Sequence, residues 1–348
     1  MKKINENFCG YIKVEDNTYT YNVSDNIVTL LPAQSDVSKR YDSLYRIKSH
    51  NTDTSEYLFG EDEDSMIAIL RKGKFVTNLI GTNVAIRFAT PIIIKADGNA
   101  QGFFSMLTEE WCKFHAITFC GGNINALYPP DIAIEQPDIS ELLKYDGART
   151  IKMRPWSDYT RTTEFQIENE KVTLTVSVGQ TAETNNTENR GAYNLGKMYT
   201  FFRFSFENAQ RFEKIEKYYI IVKKIVAILT AQNNVCFEEV YLSQRNSEQK
   251  YFKTGICKIF DSYENYSIRQ RHKVIPIFSV FDYMPNLVNG IINSKADSLL
   301  ELLPEDNKMV NRISIKNVQD LCTALEVSYH LDDKRKREKD ALIEELKK

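Results

Sequence analysis

The side chains best suited to binding an anion lie in one short basic run: Arg269, Arg271, His272 and Lys273. Guanidinium and ammonium groups bind phosphate oxygens, so this run predicts a surface for RNA or another anion. Tyr263 and Tyr266 precede the run and could stack on nucleic-acid bases. The alternative interpretation is an ordinary solvated basic loop ahead of Pro276.

The remaining histidines are weaker candidates for acid–base chemistry than His272. His115 follows Phe114 within a predicted strand, where we expect a structural role. His50 lies in a polar stretch and His330 in a highly charged helical stretch, so both are expected to be exposed and inert.

One run of carboxylates, Glu61-Asp62-Glu63-Asp64, is the candidate site for a hard metal ion. Consecutive side chains cannot all point toward one centre, however, and the ligand spacing of an EF-hand loop is absent. We therefore expect a solvent-exposed turn at these residues and no metal site.

The six cysteines are scattered through the chain, and no pair has the C-x-x-C spacing. The absence of that spacing argues against a zinc ribbon or a thioredoxin-type redox motif. Each cysteine has apolar or aromatic neighbours, so we expect buried free thiols in a reducing cytoplasm. No secretory signal is present, and the most apolar stretch is too short and too charged to span a membrane.

Composition and missing motifs limit the possible functions further. Hydrophobic residues make up 42% and aromatic residues 11% of the chain, which is typical of a globular protein. The formal net charge of -2 gives no overall positive field of the kind that nucleic-acid-binding proteins carry. No phosphate-binding loop, dinucleotide-binding glycine motif, G-x-S-x-G or H-E-x-x-H occurs. We therefore assign no catalytic residue, no metal and no cofactor.

Alternating apolar residues predict a β-rich front half. Residues 10–31 are typical of strands joined by tight turns at Asp16-Asn17 and Asp25-Asn26. Residues 66–81 predict a hairpin around Gly73, and residues 83–104 contain one further long strand that ends at Asp97-Gly98.

Two more hairpins are predicted farther along the chain. Two strand-like runs flank Gly121-Gly122, the signal for a two-residue primed turn, and Pro129-Pro130 ends the second run. Residues 160–179 alternate as a hairpin with one buried face, and residues 198–206 alternate again as a strand.

Residues 212–231 form the clearest predicted helix. Its apolar side chains recur on one face, with glutamates and lysines opposite, and its second half is apolar nearly all round. Such a helix is expected to be buried from more than one direction. Helical periodicity resumes from about Leu287, and the last helix carries its apolar residues in its final turn. We therefore expect the chain to be a fragment of a longer protein.

These patterns predict an α+β fold: a β-rich N-terminal region of antiparallel, sandwich-like sheets, a long buried helix and an α-helical C-terminal segment. The predicted domains are residues 1–148, a second β block at 149–286 with a central helix at 209–231, and a helical segment at 287–348. The last segment is expected to be an incomplete domain.

The order of elements resembles that of the ApeA-like HEPN proteins of bacterial anti-phage defence. Three parts of the chain carry the resemblance: FCGY at Phe8–Tyr11, FHAITFCGGNINALYPP at Phe114–Pro130, and KYYIIVKKIVAIL with VCFEEVYL at Lys217–Leu229 and Val235–Leu242. In that family a β-rich region precedes an all-helical HEPN domain. The helical segment from Leu287 would then be the start of the HEPN domain.

The resemblance implies a metal-independent endoribonuclease that causes abortive infection, with RNA (tRNA included) and a phage-derived trigger as partners. It also implies a homo-oligomer formed through the helical segment and no membrane association. The family's catalytic signature is an arginine followed after four to six residues by a histidine. No arginine of this chain has a histidine at that spacing, so no catalytic residue is carried over and the chain alone is not expected to cleave RNA.

Two other functions fit the same sequence. One is a non-enzymatic β-sandwich module that binds a protein or a glycan. The other is a degenerate HEPN protein that acts as a structural or antitoxin-like partner. A longer gene product with a correctly spaced arginine and histidine would favour the ribonuclease over both.

Overall fold

The computed structural model describes residues 8–14, 17–33, 55–62, 65–80, 83–97, 110–135, 152–180, 197–235, 237–260, 274–301 and 303–304. Within these ranges the chain has the predicted α+β, β-rich fold. It divides into two compact units, made of residues 1–117, 209–213 and 239–262 and of residues 118–208, 214–238 and 263–348. We call them unit 1 and unit 2. The domain boundaries drawn from the sequence stay a prediction.

The described strands are β1 Cys9–Val14, β2 Asn17–Ser24, β3 Ile27–Pro32, β4 Glu56–Asp62, β5 Ser65–Ile80, β6 Asn83–Ala89, β7 Ile92–Ala96, β8 Lys113–Cys120, β9 Arg161–Ile167, β10 Glu170–Gln180, β11 Met198–Arg211, β12 Glu239–Arg245 and β13 Tyr251–Ile259. The described helices are α1 Gly122–Leu127, α2 Ile215–Thr230, α3 Ile277–Val280, α4 Met284–Ile292 and α5 Asp297–Glu301. Strands β8 and β11 contribute residues to both units.

Unit 1 contains a closed six-stranded barrel. Its strand order is β4-β1-β2-β3-β6-β5, and pairing of β4 with β5 completes the ring. Strands β7, β13, β12 and β8 follow outward from β5 in that order. Apolar side chains fill the barrel, as expected for a small barrel in which every second residue points inward. The fully buried members of this core include Ile12, Tyr19, Val28, Leu30 and Ile86.

Glycines permit a close contact between β1 and β4 of the barrel. Gly10 is paired with Asp62, and Ile12 is paired with Gly60. A Cβ atom on Gly10 would overlap the carbonyl oxygen of Glu61, and one on Gly60 would overlap the carbonyl oxygen of Tyr11. Because both obstacles are backbone atoms, β1 and β4 can approach this closely only without side chains at those two positions.

Two front-half predictions were wrong because strands bend or end where the sequence does not signal it. The hairpin predicted around Gly73 is a single strand, β5, in which Gly73 has a φ of 75° and the register shifts between Lys72 and Val76. The first half of β5 pairs with β4 and β7, and its second half pairs with β6. Conversely, the single strand predicted from Asn83 to Asp97-Gly98 is two strands, β6 and β7, which are separated at Thr90 and Pro91.

The hairpin predicted around Gly121-Gly122 was also wrong. Its first strand is β8, but residues 122–127 form helix α1, with the amide of Asn125 bonded to the carbonyl of Gly121 at 3.0 Å. A primed turn needs positive φ angles. Gly121 is extended, with a φ of 160°, and Gly122 is the first residue of α1, so neither glycine adopts the left-handed conformation of such a turn.

Unit 2 is built on the strand order β8-β11-β10-β9, with α2 packed against one face. The predicted hairpin of β9 and β10 is confirmed, with Glu168 at a φ of 57° in its turn. Tyr218 of α2 contacts Phe204 and Phe206 of β11, with ring centroids 6.4 and 4.6 Å apart. These aromatic contacts attach the helix to the sheet.

The predicted buried helix is confirmed as α2, preceded by a 3-10 turn at Phe212–Lys214. Its far side faces α4 and α5: Lys224 pairs with Asp297 at 2.7 Å, and the Ile275 amide bonds to the Leu229 carbonyl at 2.9 Å. Ile220 is 43% exposed, so burial is not complete around the helix. Beyond α5, most of the predicted helical segment lies outside the described residues. No helix in the described part of the chain is long and apolar enough to cross a membrane.

Candidate binding surface

The basic run predicted to bind an anion, Arg269, Arg271, His272 and Lys273, lies outside the described residues. His50 and His330 do so as well. His115 is described: it lies on β8, and its Nδ1 accepts a hydrogen bond from the Arg245 amide at 3.4 Å. Partial burial, followed by the positive charge of Arg245, lowers the pKa of His115. The imidazole is therefore favoured in its neutral form as a strand-to-strand contact, which agrees with the predicted structural role.

The exposed turn predicted for Glu61-Asp62-Glu63-Asp64 was wrong for its first half. Glu61 and Asp62 are the last residues of β4, while Glu63 and Asp64 lie outside the described residues. Asp62 is only 5% exposed and pairs with the Lys95 ammonium at 2.8 Å. Within the described ranges, no group of three or more His, Cys, Asp or Glu side chains could hold a metal ion.

The described cysteines, Cys9, Cys112, Cys120 and Cys257, are all free thiols. Cys120 and Cys257 are buried as predicted, whereas Cys9 is exposed. Burial raises the pKa of Cys257, which keeps it protonated and unreactive. Cys257 therefore offers no reactive thiol.

The sheet of unit 2 presents a second face, opposite α2, which we call the open sheet face. It consists of alternate residues of β10 and β11 that the strand register places side by side: Thr173, Thr175, Ser177, Gly179, Tyr199, Phe201, Arg203 and Ser205. Their side chains alternate with the phenylalanines and valines that pack toward α2. This face thus carries hydroxyls, aromatic rings and one guanidinium, and its members are half-buried apart from Ser177 and Phe201, which are buried.

Trp156 lies on the open sheet face and is its most exposed ring. Pro155 introduces a 3-10 turn at Trp156–Asp158, which places the indole in a stacked arrangement on Phe201 with centroids 6.3 Å apart and an angle of 27°. Tyr159 supports the indole edge-on at 5.5 Å. Trp156 is 52% exposed whereas Phe201 is 4% exposed, so the tryptophan covers the phenylalanine and leaves its own surface available.

Arg203 completes the arrangement beside the tryptophan. Its Nε donates to the Thr118 hydroxyl at 3.2 Å, and its guanidinium carbon lies 4.9 Å from the Phe201 ring centre. This cation–π contact and the hydrogen bond to Thr118 hold the guanidinium beside the tryptophan. The half-buried Thr160 hydroxyl is bonded at 2.7 Å to the hydroxyl of Ser177, which is fully buried.

The segment that carries Trp156 is also basic. Lys152, Arg154 and Arg161 are exposed, and the Arg154 amide bonds to the Ala133 carbonyl at 2.9 Å, which anchors the segment. Asp158 is the exposed acid within the segment. The local balance therefore favours an anionic ligand, although the whole chain has a net charge of -2.

Sequence reasoning missed this surface. One local signal was available in residues 152–161, KMRPWSDYTR. A tryptophan that follows a proline and lies between two arginines is not typical of a strand and indicates an exposed aromatic residue in a basic segment. The stacking of Trp156 on Phe201 joins residues that are far apart in the chain, and no local pattern announces it.

No protein-family model, curated protein or solved structure matches this chain. Its function must therefore be inferred from its own residues. An exposed indole, an oriented guanidinium and nearby hydroxyls can together hold a flat ring and an adjacent anionic or polar group. A nucleotide offers that combination, since every base has a π-face and every linkage a phosphate.

Proposed function

We propose that this chain is the β-rich, RNA-engaging region of a HEPN-type ribonuclease of bacterial anti-phage defence that acts in the cytoplasm. The observation that carries the proposal is the stack of Trp156 on Phe201 with Arg203 against the same ring. Proteins that bind single-stranded RNA combine such aromatic platforms with basic groups that follow the phosphates. The resemblance predicts that the part of the protein ahead of the nuclease domain is a sensor or a substrate-engaging region, and RNA is the substrate of such a nuclease.

The segments that carry the family resemblance support a scaffolding role for the same region. Gly10 in the first segment permits the contact between β1 and β4, and residues 114–130 run from β8 through α1. The third segment is α2, whose apolar side chains are buried against the sheet. We therefore propose that this region holds and presents RNA, and that the chemistry belongs to a HEPN arginine–histidine pair that we assign to no residue of this chain.

RNA binding by the Trp156→Ala variant tests the proposal. We expect a labelled single-stranded RNA of about 12 nucleotides to bind roughly 5- to 100-fold more weakly in fluorescence anisotropy, the loss associated with one stacked base. Phe278→Ala is the matched control, because Phe278 is 59% exposed and lies off the open sheet face. Equal affinities of Trp156→Ala and wild-type protein would remove the open sheet face as the RNA site.

A glycan-binding module is the second candidate, and the same tryptophan favours it. An exposed indole can stack on the apolar face of a sugar ring, and the half-buried Thr160 hydroxyl could bond to a sugar hydroxyl. Salt separates the candidates. RNA affinity should fall steeply as salt rises because counterions compete for phosphates, whereas glycan affinity should stay nearly constant.

The proposal further includes a phage-derived trigger and a homo-oligomer formed through the helical segment. Sedimentation velocity of the purified chain tests the oligomer, since a dimer is the assembly in which two HEPN motifs share a cleft. A chain that sediments as a monomer at every accessible concentration would contradict that part of the proposal.

A further inference from the structure

A groove in unit 2 lies between the end of α2 and the helices that follow. Its volume is about 720 Å³, within the range typical of small-molecule sites. The walls are mostly aliphatic and include Ile228, Leu229, Ile275, Leu287 and Leu299. We call it the α4 groove, because α4 contributes much of its lining.

Gly290 lies inside α4 and lines this groove. Glycine is a poor helix former, so an interior glycine calls for a reason. Crowding is not the reason, since a Cβ atom at Gly290 would meet no other atom within 4 Å. The missing side chain instead leaves the groove open at this point, which is useful if the groove accepts a ligand.

The charge of the groove lining is positive. Among its described lining residues Lys295 is the sole charged one, and the polar remainder includes Asn286, Asn289 and Asn293. The nearby carboxylate of Asp297 is occupied by the Lys224 ammonium at 2.7 Å, whose hydrogen bond lowers the pKa of Asp297. Because Asp297 is neutralised by Lys224, Lys295 remains as a cation at the rim of an apolar space.

We propose that the α4 groove binds an amphiphilic anion, with an apolar body against the aliphatic walls and a single carboxylate or phosphate head at Lys295. Apolar walls with a few polar groups at one end are the usual design of small-molecule sites. This inference is independent of RNA binding at the open sheet face. A failure of one therefore leaves the other in place.

Calorimetric titration with decanoate and with the neutral decan-1-ol, both below their aggregation limits, tests this inference. Wild-type protein should bind one equivalent of decanoate. Gly290→Leu should weaken both ligands at least tenfold, because the added side chain fills open space in the groove. That substitution also improves helix propensity, so the variant should keep its fold and its melting temperature.

Lys295→Gln tests the position of the head group. Decanoate should bind about three- to fivefold more weakly, which is the size of an exposed ion pair, and decan-1-ol should bind unchanged. Lys250→Gln, which removes an exposed lysine from the turn between β12 and β13, is the matched control and should alter neither ligand.

Three outcomes would overturn the inference. One is the absence of saturable decanoate binding to wild-type protein, and another is equal binding by wild type and Gly290→Leu. The third is a Gly290→Leu variant that loses self-association in sedimentation while wild type binds no decanoate. That result would identify the groove as a contact between copies of the chain.

Discussion

Gly10→Ala tests whether closure of the barrel depends on the close contact between β1 and β4. The new methyl group would overlap the Glu61 carbonyl oxygen, and the obstacle is backbone that no rotamer change can move. Overpacking a well-packed site typically costs 1–3 kcal/mol. To relieve the overlap, β1 and β4 would have to move apart. These strands pair at only three positions, one of which is Ile12 with Gly60. Each lost backbone hydrogen bond adds about 1 kcal/mol. We therefore expect a loss of about 2–4 kcal/mol in the free energy of unfolding of unit 1.

The two tryptophans of the chain allow unit 1 to be observed separately. Trp111 is buried in unit 1, where its indole N–H donates to the Thr254 carbonyl at 3.3 Å and its ring meets Phe212 edge-on at 5.3 Å. In a Trp156→Phe background its fluorescence reports unfolding of unit 1 in urea. For Gly10→Ala the urea concentration at the unfolding midpoint should fall, while the dependence of the unfolding free energy on urea stays unchanged. That combination marks a change in stability.

Gly290→Ala is the control for a glycine substitution as such. Its methyl group meets open space in a helix, so the variant should be more stable by about 0.5–1 kcal/mol. If Gly10→Ala unfolds within about 0.5 kcal/mol of the parent at the same slope, the close contact between β1 and β4 is not a constraint and the reasoning about barrel closure is refuted.

Three further predictions follow from the site and the buried charges. Lys95→Met should lower the free energy of unfolding in urea by about 1–3 kcal/mol, because it leaves the buried Asp62 carboxylate without this ammonium. The double variant with Asp62→Asn should recover part of that loss. A double variant without any recovery would contradict the pairing. His115 has a lowered pKa in the folded chain, so the unfolded chain takes up the proton first as pH falls below the ordinary 6.5. Wild type should therefore lose stability from pH 7 to pH 5 more steeply than His115→Gln, and parallel melting-temperature profiles would exclude this contribution. Finally, the purified chain should not cleave tRNA or total RNA without metal, because no arginine–histidine pair with the HEPN spacing is present. Gel electrophoresis of the RNA after incubation measures cleavage. A nuclease activity that copurifies with the chain would show that the chain itself carries a nuclease site.

Much of the local structure was predictable because it depends on one-sided burial. The alternation of β10 and the helical periodicity of α2 are local patterns that solvent and core impose directly on neighbouring residues. Both elements were predicted correctly, as was the turn of β9 and β10.

Predictions were wrong where two structures share the same local pattern. The run after Gly121-Gly122 is apolar enough for a strand or a helix, and the backbone angles of the glycines decide between them. Asp62 belongs to an acidic run that is typical of a solvated turn. It is nevertheless a residue of barrel strand β4, and its ammonium partner Lys95 comes from β7. Such partners are distant in sequence, so alternation and composition carry no information about them.

The amino-acid sequence alone establishes the β-rich α+β fold, the buried helix α2 and the lack of a recognisable catalytic motif, because each depends on neighbouring residues. The closure of β4 on β5 and the stack of Trp156 on Phe201 depend instead on where distant strands meet. The same is true of the α4 groove, whose walls come from α2 and from the helices after Ile275. These sites form by contacts between distant segments, and local periodicity does not show which segments touch.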